Sequence, residues 1–169
     1  MKEQVKQILI LLGAVVLIVG VLLWFSGDSK NELAFNNNGQ FTGALTVEQA
    51  QYDFGSVSMA KGNVEKEFTI ENKSDGDVAI GEVSTSCMCT EAVLRVGDRT
   101  AGPFGMPGHG LTRKANLVVK PGEQLIAKVI FDPAAHGPAG IGPVERQIAV
   151  YTSADKDPMV LNFKAVVTP

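Results

Sequence analysis

Only two cysteines stand in a chain of 169 residues, and that scarcity excludes a scaffold held together by disulfides. Charge of one sign is also scarce: 15 basic side chains face 18 acidic ones, for a formal net charge of -3. Without a basic excess there is no electrostatic footprint for a nucleic acid, and no nucleic-acid partner is expected. Signatures of catalysis are missing. No G-x-S-x-G, H-E-x-x-H, phosphate loop or S-x-x-K occurs, so no enzymatic activity is expected. Calcium-loop spacing is absent from the acidic stretch 65–77, which reads as an outward strand face and a turn. The 18 glycines and 8 prolines follow no three-residue period, which excludes collagen and points to many turns. At 45% hydrophobic residues the chain is too apolar to be intrinsically disordered.

Much of that apolar content sits at the start. Ile8 to Phe25 is an uncharged run of eighteen residues. As a helix it is roughly 27 Å long, and a bilayer core is about 30 Å thick. Trp24 and Phe25 close the run, where aromatic rings suit the headgroup layer. Lys2 and Lys6 precede it, so the positive-inside rule keeps the amino terminus in the cytoplasm. A cleaved signal peptide would have a shorter apolar region ending in small residues, and this run ends in Trp-Phe-Ser-Gly-Asp. The expected organisation is a cytoplasmic terminus over 1–7 and a single-pass signal anchor over 8–26. A flexible linker over 27–44 and an exported domain over 45–169 follow. The expected location is the cell membrane, with the carboxy-terminal domain outside the cytoplasm, periplasmic or extracellular.

The exported part reads as strands. Leu125, Ala127, Val129 and Phe131 recur with period two, and so do Leu161, Phe163, Ala165 and Val167. Glu67 to Glu71, Ile148 and Val150, and the segments 51–58 and 77–86 follow suit, the last with a possible bulge at Gly81. Pro121-Gly122 fits the centre of a type II turn, since proline presets one φ and glycine accepts the positive one. The expected fold is all-β, an immunoglobulin-like antiparallel sandwich of about seven strands behind one transmembrane helix. Two Gly/Pro-rich stretches, 97–112 and 134–143, read as long loops, and each carries one histidine, His109 or His136. Arg95, Arg99, Arg113 and Lys114 flank the first and read either as an attractor for an acidic partner or anionic headgroups, or as a solvated loop. Asn72-Lys73-Ser74 is formally a glycosylation acceptor.

The focused chemistry lies in Ser86-Cys87-Met88-Cys89-Thr90. In a flat strand residues i and i+2 are about 6.6 Å apart, near the limit for a disulfide unless the chain bends there, and such a bridge closes a tiny loop. Two thiolates presented on one side can instead hold a soft ion: Cu(I), or zinc if more ligands arrive. Met88, Met106, His109 and His136 are candidates to complete the site with Cys87 and Cys89. A thiol–disulfide redox pair and two ordinary buried cysteines are the other readings.

Tyr52 to Val57, Phe68 to Asn72, Ser86 to Thr90, Lys120 to Glu123, Val129 to Pro133 and Val150 to Ser153 together resemble the bacterial domain of unknown function 1573. The resemblance spans roughly residues 45–169 and implies an immunoglobulin-like sandwich related to the hydin-type domains. That family often has glycine between the cysteines where Met88 stands here, and residues 97–112 are an insertion relative to it. A more distant analogy is with the copper chaperones of cytochrome oxidase assembly. They are similar in having one anchor, an immunoglobulin-like domain and a Cys-aromatic-Cys pair, although the aromatic residues are missing here. The leading expectation is a non-enzymatic module that binds a protein partner in the envelope or the envelope itself. The alternative is a Cu(I) chaperone or thiol redox protein working through Cys87 and Cys89.

Overall fold

The computed structural model describes Gln4, residues 41–42, 44–109 and 114–169. Eleven strands succeed one another: β1 (Phe41–Thr42), β2 (Leu45–Val47), β3 (Gln51–Ser58), β4 (Val64–Asn72), β5 (Val78–Thr85), β6 (Thr90–Val96), β7 (Arg99–Phe104), β8 (Lys114–Val119), β9 (Gln124–Phe131), β10 (Gly142–Thr152) and β11 (Met159–Thr168). They form two sheets, one ordered β1-β2-β4-β9-β6-β7 and the other β3-β11-β10-β5-β8. All pairings are antiparallel except β11 with β3. The expected all-β sandwich is present, with eleven strands among the described residues in place of about seven. The expected anchor over 8–26 lies outside the described residues. Among those described, no helix is long and apolar enough to cross a membrane.

Period-two alternation builds the core. Along β9, Leu125, Ala127, Val129 and Phe131 point inward and are buried, while Gln124 and Lys128 point out. Phe163 of β11 meets Phe131 from the opposite sheet, ring centroids 5.1 Å apart. Phe68, Phe104, Phe131 and Phe163 are fully buried, and each contributes about 2–3 kcal/mol by leaving water. Asn162, expected on the outward face of β11, is 6% exposed, because β11 lies between two neighbours and its first half is buried on both faces.

Two punctuation marks fall where expected. The register of β5 against β8 shifts between Ile80 and Glu82, placing the bulge at Gly81. Glu123 N–H donates to Lys120 O at 2.9 Å across Pro121-Gly122, with Gly122 at φ 75°. The stretch 97–112 is a correction: its middle is a strand, β7. Glycine and proline are tolerated there because β7 is the edge strand of its sheet. Gly97-Asp98 is a two-residue hairpin link between paired Val96 and Arg99, and Gly97 takes φ 56° at its first position, the requirement of a type II′ turn. The second Gly-rich stretch also ends earlier than expected, since β10 begins at Gly142. The short β1 falls inside the segment read as linker.

The glycosylation reading of Asn72 is also corrected. Its Nδ2 donates to Gly76 O and Val119 O, both at 2.8 Å, and its Oδ1 accepts from Ser74 N–H and Ser74 Oγ–H at 3.0 and 2.7 Å. Both amide hydrogens are used inside the fold, and the residue has no exposed surface.

Candidate metal centre

The cysteine pair occupies a crossover between the sheets. β5 belongs to one sheet and β6 to the other, and Ser86 to Cys89 carry the chain across. A strand cannot make that crossing, so the backbone bends: Thr90 N–H donates to Cys87 O at 3.1 Å. Thr85 holds the bend from inside, its Oγ1 lying 3.0 Å from both Cys87 O and Thr90 O. Ser86 is tied to β10 twice, by its N–H to Gln147 O and by its Oγ from Gln147 N–H, both 2.9 Å. Cys89 O accepts Asp132 N–H at 2.9 Å, which fastens the bend to the end of β9.

The second contributor is the β9–β10 connection. Asp132 starts it with an Asx turn, Oδ1 accepting Ala134 N–H at 2.8 Å. A short 3₁₀ turn over Gly137–Gly140 follows, and His136 stands at its entrance. Gly140 lies close under His136: a Cβ there would stand 3.0 Å from His136 Cβ.

These two connections meet. His136 Nε2 lies 3.2 Å from Cys87 Sγ, and Cys89 N–H points at Cys87 Sγ from 3.4 Å. The two sulfurs and an imidazole nitrogen all lie within 4.8 Å of one another. Arg146 of β10 donates from Nε to Cys89 Sγ at 3.2 Å and from its terminal nitrogen to Glu145 O at 2.8 Å. Both cysteines are free; Cys87 is half-buried and Cys89 buried.

The thiols differ in electrostatics. Burial pushes Cys87 up, but hydrogen bonds from Cys89 and His136 and the charge of Arg146 outweigh it, leaving its pKa lowered to about 7. Burial pushes Cys89 up as well, and its bond to Cys87 adds to the rise; Arg146 and Thr90 oppose this without cancelling it. One sulfur therefore titrates near neutral pH while the other keeps its proton until a cation or a base removes it. Cys89 is also part of the hydrophobic core, with Cys87 packed against it.

The remaining candidates are distributed differently. Met88 lies between the thiols and is 53% exposed. Met106 and His109 sit on the turn after β7, where His109 N–H donates to Met106 O at 3.3 Å. His109 is exposed and is not in the converging group; His136 takes the imidazole position instead. The reason is topological: β9 ends beside Thr90, so the chain leaving it passes the cysteine bend. Arg146 went unnoticed in the sequence, yet a signal was there. It stands two residues before Ile148 and four before Val150, on the inward phase of β10, where a charge demands a partner. Of the basic residues around 97–112, Arg99 is committed to Val118 O at 2.9 Å and Glu123 at 3.6 Å, while Arg113 lies outside the described residues.

Fold and site define a two-sheet β-sandwich domain with a thiol–imidazole cluster on one inter-sheet crossover. Residues 45–97 match the model of the family described as protein of unknown function (DUF1573), the family that the sequence resembles. No curated protein matches. Among solved structures, a protein of unknown function from Porphyromonas gingivalis W83 is similar at TM-score 0.54 and 18% identity, over 80% of this chain and 51% of its own. The chain thus spans about half the length of that protein. The PapD-like domain 7 of human CEP192 matches at TM-score 0.46 and 10% identity, over 80% of this chain and 91% of that one. The VesB protease of Vibrio cholerae matches at 0.47 and 15%, over 75% and 32%. These likenesses concern the fold.

Proposed function

We propose that the protein is a membrane-anchored, extracytoplasmic, non-enzymatic module of immunoglobulin-like type that binds Cu(I) through Cys87, Cys89 and His136. The observation that carries this reading is the convergence of two sulfurs and one imidazole nitrogen within 4.8 Å. Thiolates select soft ions, and imidazole suits copper as well. A structural zinc site wants four protein ligands. Among the described residues no fourth His, Cys, Asp or Glu joins this group. A three-donor set rich in sulfur therefore favours Cu(I). The lowered pKa of Cys87 supports the same reading, since a ligand must first lose its proton.

The site lies on a connection at one end of the sandwich, with Met88 exposed between the thiols. That placement supports exchange of the ion with a protein partner in the envelope, and the apolar run Ile8–Phe25 supports a fixed position at the membrane. The test is a competition titration of the full-length, reduced protein, in a nonionic detergent, against a Cu(I) chelator. One Cu(I) per chain is expected. Equal copper retention by the Cys87→Ser/Cys89→Ser double variant overturns the reading.

A further inference from the structure

A site made of two thiolates does not by itself choose between a monovalent and a divalent ion. The geometry points to Arg146 as a second determinant of this choice beside the donor number, setting the site for a monovalent cation. The inference rests on the metal-binding reading and adds to it a residue that touches no metal.

Arg146 is held in place rather than free. It sits on β10, which is hydrogen-bonded to β5 on one side and β11 on the other. Nε is committed to Cys89 Sγ at 3.2 Å and a terminal nitrogen to Glu145 O at 2.8 Å. The side chain is half-buried, in phase with the core residues Ile148 and Val150. A guanidinium keeps its proton at any pH the protein meets, so this is a permanent positive charge against one of the ligand sulfurs. The thiolate has lone pairs for both a metal and the Nε–H, so the contact persists when the ion is bound.

Charge counting then separates the ions. Two thiolates and one guanidinium sum to -1. A monovalent ion with neutral His136 brings the cluster to zero, whereas a divalent ion leaves it at +1. Among the described residues no carboxylate joins the group to absorb that surplus, and Asp132, the acidic residue at the start of the His136 loop, uses Oδ1 on Ala134 N–H. A net charge in a partly desolvated cluster is unfavourable. The divalent ion also meets twice the repulsion from Arg146 that the monovalent one meets. Removing the charge therefore shifts relative affinity towards the divalent ion by roughly one charge–charge interaction, from about fivefold at full water screening to several hundredfold for an unscreened pair near the surface.

The experiment measures, for the full-length reduced protein in nonionic detergent, dissociation constants for Cu(I) and Zn(II) against chelators of known strength. Wild type, Arg146→Gln and Arg146→Lys are compared by the ratio of the two constants within each protein, so that the folded fraction cancels. Arg146→Gln is expected to move the ratio at least about fivefold towards Zn(II), and Arg146→Lys, which keeps the charge, to stay within about threefold of wild type. An unchanged ratio in Arg146→Gln, or an equal shift in both variants, overturns the role of Arg146 while leaving Cu(I) binding in place. A wild-type protein that binds no Cu(I) overturns the metal reading itself, and the inference falls with it.

Discussion

Two polar clusters sit at opposite ends of β9. Asn72 lies near Gln124, where β9 begins, and the cysteine bend lies near Phe131, where it ends. The Asn72 cluster is closed. Both amide hydrogens and the carbonyl oxygen are used by Gly76, Val119 and Ser74, and the neighbouring backbone locks onto the 120–123 turn through Gly122 N–H to Asn72 O at 2.9 Å. Such a knot ties two connections together and has nothing left to offer a ligand. The cysteine cluster is fastened as firmly through its backbone, by Thr85, Gln147 and Asp132, but its side chains converge with capacity to spare. Cys87 Sγ and His136 Nε2 face one another at 3.2 Å, and each sulfur keeps lone pairs beyond that contact. One end of the sandwich spends its polar groups on stability, the other holds them ready.

The sharpest break of this comparison is the double substitution Cys87→Ser/Cys89→Ser. It is expected to abolish Cu(I) retention in the chelator titration at a cost of about 1–2 kcal/mol in urea stability, since a hydroxyl replaces the buried Cys89 thiol. Asn72→Ala should do the reverse. Leaving Gly76 O, Val119 O and Ser74 N–H without their partner costs about 3 kcal/mol in urea denaturation, with Cu(I) affinity of the folded protein unchanged. Thr85→Val belongs to both classes. Loss of the hydroxyl that braces Cys87 O and Thr90 O is expected to cost about 1–2 kcal/mol and to loosen the bend, weakening Cu(I) binding severalfold.

A subtler probe is alkylation with iodoacetamide against pH. Cys87 loses its proton as pH rises through about 7, so its labelling rate is expected to climb between pH 6 and 8 and then level off. Cys89, pushed the other way, remains a thiol over that range and is modified more slowly. A single steep rise near pH 9 for both cysteines would break the asymmetry. The smallest effect belongs to the exposed pair Lys164–Asp53, 3.4 Å apart, far from either cluster in kind. Lys164→Ala is expected to change urea stability by less than about 0.5 kcal/mol, as exposed ion pairs are screened by water and salt.

Much of the sandwich was legible because it follows from local rules. The inward residues of β9 and β11, the bulge at Gly81 and the turn at Pro121-Gly122 all depend on side-chain period or on backbone preferences of one or two residues. β7 was hidden because glycine and proline argue against a strand, and only its place at the edge of the sheet makes them tolerable. Arg146 was hidden for a different reason: its partner is a sulfur from another strand, and a charge in phase with core residues looks like an error until that partner is known.

The chain by itself determined that there are strands, where most of them alternate, and that the paired thiols are its focused chemistry, because each of these rests on residues close together in sequence. Which histidine joins the thiols was left to the tertiary structure. His109 and His136 sit in similar Gly-rich surroundings, and nothing local separates them. Closing two sheets against one another brings the end of β5 beside the end of β9, so a histidine 49 residues from Cys87 arrives at 3.2 Å and an arginine 57 residues from Cys89 arrives at the same distance. Contacts of that separation are set by how whole sheets pack, and the sheets pack as they do to bury Phe131, Phe163 and their neighbours. The core chose the ligands.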